Sequence, residues 1–160
     1  MNIYRLPVIL LLMAWILFFV SCGIFLGDRA GKFEEYIFSL INEYRDGLGL
    51  NKMGWSDVIA DEARNHSKNM ADGNVPFGHT GFEERKKNIK DKIPHSLISE
   101  VVAWLNDFFG VSSPADQVFE SWISNLDHRE VIEGPFDLTG VGVVKAGTTY
   151  YFTDMFLKKK

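Results

Sequence analysis

The side chains best suited to chemistry near neutral pH are four histidines, at positions 66, 79, 95 and 128. Two of them sit in settings that favour a presented ring. His79 lies within Phe77-Gly78-His79-Thr80-Gly81-Phe82, and His128 lies within Trp122-Ile123-Ser124-Asn125-Leu126-Asp127-His128-Arg129. Two neutral imidazoles and a carboxylate can ligate zinc, with water completing the shell. A histidine base partnered by a carboxylate can also activate water, directly or through a metal. Spacing alone does not pair the two histidines: the chain has no His-Glu-x-x-His helix, and its single cysteine is Cys22. Ser67, Ser96, Ser99, Ser112, Ser113, Ser121 and Ser124 could serve as nucleophiles, but none sits in a Gly-x-Ser-x-Gly elbow. His66, one turn before Met70, reads as a packed, satisfied histidine. His95, after Pro94, reads as exposed, and Glu130 and Glu133 read as surface charges.

Several elements must hold these residues. Phe33, Tyr36, Ile37, Leu40, Ile41 and Tyr44 recur at helical spacing, with polar residues between them and Gly47 and Gly49 as the stop. Ser56 is a candidate N-cap for a second helix, whose buried stripe is Ile59, Ala63 and Met70 and whose end is Gly73. Asn74 to Ser99 is polar and irregular, with a short helix near Glu83 to Ile89. Val101 to Leu105 reads as a buried strand and Asn106 to Ser112 as a loop. In that loop the Phe108-Phe109 pair is either buried under the sheet or a lipid or partner surface. Ser113-Pro114 opens a third helix with Val118, Phe119 and Trp122 inward. Leu138 to Lys145 and Thr149 to Phe156 form a hairpin about Ala146-Gly147-Thr148. Trp55, Trp104 and Trp122 read as core. Helices first and antiparallel strands last predict a layered α+β domain.

The 160-residue chain divides near residue 27. Arg5 is the only charge in residues 1–27, and the 21 residues from Leu6 to Leu26 carry none. A basic start followed by an apolar run is the layout of an export signal, and about 20 apolar residues also suffice to span a bilayer as a retained anchor. Cys22, preceded by Phe19-Val20-Ser21 and followed by Gly23, resembles the lipidated cysteine of a bacterial lipobox. Both readings stand: a lipoprotein modified at Cys22, or a signal anchor. Either predicts an extracytoplasmic, membrane-attached protein. Asp28 to Lys32 reads as a linker and 33–160 as one domain; the apolar (46%) and aromatic (14%) content of the whole chain is ample for a core. Without its N-terminal segment the formal charge moves from −4 to −5, because Arg5 leaves with it. A mildly acidic domain argues against nucleic acid as a partner.

Particular residues carry a family resemblance. Leu40-Ile41-Asn42-Glu43-Tyr44-Arg45, with Gly49-Leu50 and Trp55, resembles the opening of the CAP superfamily of cysteine-rich secretory proteins, antigen 5 and pathogenesis-related proteins. Ala63 to Ala71 is similar to that family's second helix. The segments around His79 and His128 resemble its two histidine motifs, the latter in bacterial form. Thr139-Gly140-Val141-Gly142-Val143 and Tyr150 to Phe156 resemble its closing strands. The resemblance implies an α-β-α sandwich with a central antiparallel sheet, without disulfides, and a cleft built on two histidines and two acidic residues. His79 and His128 fall on the histidine positions and Glu100 on the first acidic one. Glu84, five residues after His79, is the alternative carboxylate. The second acidic position holds Asn125, so the tetrad is incomplete, and Asn125 would orient a neighbour instead of carrying a charge.

The resemblance implies a non-catalytic binding module for a lipid or a host or surface protein, with ligand in the cleft of His79, Glu100, Asn125 and His128. No cofactor is required by this reading; weak binding of a divalent metal such as zinc by His79 and His128 stands beside a purely hydrogen-bonded polar cleft. The alternatives are a zinc-assisted hydrolase in the same cleft and a structural or adhesive surface protein.

Overall fold

The computed structural model describes residues 30–107 and 113–160. The apolar run, Cys22 and the Phe108-Phe109 pair therefore lie outside the described residues. Helix α1 covers 30–47. It is followed by β1 (Gly54–Trp55), α2 (Asp57–Ala71), α3 (Phe82–Lys90), β2 (His95–Asn106), α4 (Pro114–Ser124), α5 (Leu126–Ile132), β3 (Leu138–Ala146) and β4 (Thr149–Lys159). The sheet order is β1-β3-β4-β2. Strand β4 pairs antiparallel with both β2 and β3, and the two-residue β1 pairs parallel to β3.

Alternation along β4 assigns its residues to two cores, because successive strand side chains point to opposite faces. Phe152 and Phe156 face a large cluster with Ile37 and Ile41 of α1, Val118, Phe119 and Trp122 of α4, and Ile132 of α5. Met155 and Leu157 face a smaller one with Ile59 and Ala63 of α2, Ile89 of α3 and Ile98 of β2. Helices therefore cover both sheet faces, giving the α-β-α sandwich. The fully buried Trp122 keeps its indole N–H satisfied by donating to the Val102 carbonyl at 3.3 Å.

Two glycines fix how closely α2 lies on the sheet. A Cβ at Gly140 would sit 2.3 Å from the Ala60 nitrogen, and one at Gly142 would sit 2.1 Å from the Arg64 nitrogen. Ser67 uses this contact, donating its hydroxyl to the Gly142 carbonyl at 2.8 Å. On the other face, the Asn42 amide brackets Met53, donating to its carbonyl (3.1 Å) and accepting from its N–H (2.8 Å). Buried Arg45 donates to the carbonyls of Asn51, Ile132 and Gly134 at 3.0, 2.6 and 2.8 Å. It thereby ties the end of α1 to the carbonyl-rich end of α5, where the helix dipole favours a cation.

Several expectations are corrected. Residues 30–32, read as linker, are already helical, since one glycine does not stop a helix whose next turns bury Ile37 and Ile41. Strand β2 begins at His95, not Val101, because backbone pairing to β4 extends to Lys159 beyond the apolar stretch. His95 is buried at that strand start, its Nδ1 donating to the Ile93 carbonyl at 3.0 Å. Trp104 is 55% exposed: it lies near the end of an edge strand, on the face shared with Glu100. Trp55 is half-buried against the larger core. The turn after Trp122 holds a separate helix, α5, and Ser56 and Ser113 make no side-chain cap hydrogen bond.

Candidate functional site

The His79 loop is shaped by its neighbours in sequence. Gly78 and Gly81 adopt φ of 134° and 81°, in the left-handed region that favours glycine. The chain thus turns sharply on both sides of His79 before α3 begins. Three contacts hold the loop. The His66 Nε2 meets the Gly78 carbonyl at 2.7 Å, and since a carbonyl only accepts, that nitrogen carries the proton. Arg85 donates from Nη1 to the Thr80 carbonyl at 2.9 Å. The Phe82 N–H donates to the His79 carbonyl at 3.0 Å.

The centre of the site is Glu100, projecting from β2 with its side chain 1% exposed. Arg85 grips it with a planar fork, Nε to Oε2 at 2.9 Å and Nη2 to Oε1 at 2.8 Å. A bidentate pair of this kind fixes the direction of the carboxylate as well as compensating its charge. His79 stands on the same carboxylate, its Nδ1 2.9 Å from Oε1, with its side chain 52% exposed. A carboxylate paired with a guanidinium can only accept, so Nδ1 carries the proton and Nε2 is the ring's remaining polar atom. Glu84, by contrast, is exposed on α3 and lines a cavity of about 350 Å3 between α2 and α3. Of the two alternatives, the structure brings Glu100 to His79.

His128 stands on α5. Asn125, the N-cap of that helix, accepts from the His128 N–H at 3.2 Å, so its side chain positions the helix turn that carries the imidazole. The His128 Nδ1 is buried with no hydrogen-bond partner. Burial first, and then positive charge on His79, depress the His128 pKa, while Asp127 opposes them. His128 is therefore neutral near pH 7 and within electrostatic reach of His79. Burial likewise lowers the His66 pKa, with Arg85 and His79 adding to it and the Gly78 carbonyl and Glu100 opposing.

Beyond the two imidazoles the site has few donors to spare for a metal. Both oxygens of Glu100 are committed to Arg85, and one also to His79. Asn125 is spent on capping. Among the described residues no group of three or more His, Cys, Asp or Glu is arranged to hold a metal ion, whereas a zinc site built by a protein ordinarily supplies three or four donors. What the arrangement offers is a half-exposed His79 imidazole backed by a neutralised ion pair, with His128 within electrostatic reach. Two members of this network escaped the sequence reading: Arg85 and, as a support of the loop, His66. The available signal for Arg85 was a cation in the first half of a helix, where acidic residues are favoured.

The same motifs and the same layers recur in known proteins. Residues 38–156 match the family model described as the cysteine-rich secretory protein family, CAP. An uncharacterized membrane protein of Bacillus subtilis, YlbC, is 28% identical over 128 residues, which is 79% of this chain and 34% of that protein. The chain thus spans about a third of the length of that curated relative. Among solved structures, an extracellular SCP-domain protein of Bacillus anthracis superposes with a TM-score of 0.67 at 25% identity, covering 84% of this chain and 43% of that one. An outer surface protein of Borrelia burgdorferi superposes with a TM-score of 0.64 at 20% identity, covering 79% and 92%.

Proposed function

The chain belongs to the cysteine-rich secretory protein (CAP) family, and from that premise we propose that it is an extracytoplasmic binding module, held to a membrane by its N-terminus, that recognises a lipid or protein ligand without turning it over. The observation that carries this reading is that the second acidic position holds Asn125, whose oxygen caps α5. A general base needs a free lone pair within reach of the proton it removes. Glu100 is not that base, since a guanidinium and an imidazole engage its oxygens in a buried setting; the half-exposed His79 Nε2 keeps a lone pair, so turnover would require a second acid or base beside it. The second acidic position is Asn125, whose carbonyl oxygen caps α5, so no second carboxylate is available there for an acid–base pair. Recognition, in contrast, asks only for directed polar groups, and the His79 and His128 imidazoles supply them. Exposed Phe77 and Leu126, each two residues before one of these histidines, add apolar contact.

The extracytoplasmic assignment is supported by the apolar run of residues 6–26 and by likeness to the membrane and extracellular proteins named above. Among the described residues no helix is long and apolar enough to cross a membrane, so attachment rests on the N-terminal run, through lipidation at Cys22 or as a retained anchor. The test is extraction of organic-soluble ligand from residues 28–160, expressed without the apolar run, followed by mass spectrometry. One lipid per chain, lost in His79→Ala and His128→Ala, is the expected result; extraction of none turns the reading to a protein ligand. Ester hydrolysis abolished by His79→Ala would overturn it.

A further inference from the structure

Arg45 is a buried cation, 2% exposed, without a counterion. Among the described residues, Arg64, Arg85 and Arg129 stand 2.9, 2.8 and 3.9 Å from a carboxylate oxygen, and Arg45 forms no such pair. Burial alone lowers its pKa, with no carboxylate opposing, yet a guanidinium stays charged near neutral pH. The carbonyls of Asn51, Ile132 and Gly134 occupy its Nε and both N–H groups of Nη1. That leaves the two N–H groups of Nη2 without a partner in the protein. They are not sealed in the core. Arg45 lines an open cavity of about 300 Å3 between the chain after α1 and the chain after α5, a volume at the small end of ligand pockets.

The acids that share this lining are engaged elsewhere. Asp137 accepts from Lys158 Nζ at 2.7 Å and from the Lys159 N–H at 2.9 Å. Glu133 Oε1 accepts from the Tyr44 hydroxyl at 2.7 Å. Lys158, which also lines the cavity, keeps two N–H groups beyond its bond to Asp137. Donors are therefore in surplus, and the deepest of them belongs to a buried charge, which is costly to leave unpaired. An anionic oxygen is the matching group, because hydrogen bonds between ions of opposite charge are the strong ones. Glu133 and Asp137 set its charge: they repel a dianion such as phosphate and tolerate a monoanion. Leu50, Pro135 and Phe136 complete the lining and suit a short apolar stem. We propose that this cavity binds a small monocarboxylic acid, its carboxylate on Arg45 Nη2 and Lys158 and its stem against Leu50 and Phe136. The lining shares no residue with the His79 and His128 site, so the proposal is independent of the reading given to that site.

The test uses the full chain reconstituted in lipid nanodiscs, titrated with sodium isobutyrate by calorimetry against an empty-disc blank. Isobutyramide keeps the stem without the charge, and inorganic phosphate keeps the charge without the stem. The expected result is one saturable site, with isobutyrate at least about tenfold tighter than either comparator. Arg45→Met would also remove three carbonyl contacts and endanger the fold, so two other measurements carry the assignment. With isotope-labelled arginine in the parent, isobutyrate should shift the guanidinium resonances of Arg45 and leave those of Arg64 and Arg129 in place. Leu50→Trp, which fills the cavity from its half-buried edge, should lose binding at an unchanged melting temperature; the resonance result stands whether or not that variant folds. Absence of saturation, amide or phosphate binding as tight as isobutyrate, Arg45 resonances that do not move, or a folded Leu50→Trp that binds like the parent would each overturn the proposal.

Discussion

Replacing Asp154 by asparagine should reverse its effect on stability between acidic and alkaline pH. Asp154 is fully buried in the middle of β4, on the face of the larger core. One carboxyl oxygen accepts from the Thr139 hydroxyl, while Oδ2 has no partner. Burial outweighs the hydrogen bonds from Thr139 and from the Met155 and Gly140 backbone, and pushes the pKa up to about 7 from 3.8. A carboxyl raised in the folded state contributes stability that is complete below its unfolded pKa and is lost as pH rises through the folded one. The vulnerable window is therefore about pH 4 to 7. Between about pH 5 and pH 8 the loss comes to about 3 kcal/mol. Asparagine does not titrate, but it buries an N–H2 where Oδ2 now lies, at a pH-independent cost of about 1–3 kcal/mol. Asp154→Asn should thus be destabilising near pH 5 and neutral to stabilising near pH 8. Urea denaturation at the two pH values measures this, and the difference between variant and parent should swing by about 3 kcal/mol. His66 and His128 titrate in both proteins and cancel in that difference. A swing below about 1 kcal/mol would refute the reasoning, because Asp154 would then ionise in the folded protein nearly as in water.

Arg85→Met should lower stability by about 3–5 kcal/mol, since it leaves Glu100 buried without its cation; adding Glu100→Met should restore much of the loss in a double-mutant cycle by denaturant unfolding. Gly142→Ala should cost at least about 2 kcal/mol in the same assay, because its Cβ would meet the backbone of Ala63 and Arg64, which cannot swing aside. Asn125→Ala should cost about 1 kcal/mol for the lost cap, and the His128 imidazole resonances in NMR should shift while those of His66 stay in place. With its pKa depressed by burial, His66 contributes stability that is complete above about pH 6.5 and declines as pH falls below it, so His66→Gln should flatten that acid limb in thermal melts.

Much of the molecule was legible before any coordinates, for identifiable reasons. Helical periodicity in residues 33–44, alternation in the closing strands, the glycine stops at 47, 49 and 73, and the ordered series of family motifs are local signals written in consecutive residues. They indicated the α-β-α arrangement, and they pointed to His79, His128 and Glu100. The rest depended on contacts distant in sequence. Strand β2 starts six residues earlier than its apolar stretch because β4 supplies backbone partners out to Lys159. Trp104 is exposed and His95 buried, the reverse of expectation, because coverage at an edge strand is set by which helix lies over it. The preference for Glu100 over Glu84 could be argued from the strand after it, but the contact itself depends on how α3 and β2 pack. Above all, the commitment of Glu100 to Arg85, 15 residues away in sequence, could not be read from one dimension. An arginine within a charged helix looks solvated until packing turns it inward, and only then does burial make its pairing with a carboxylate compulsory.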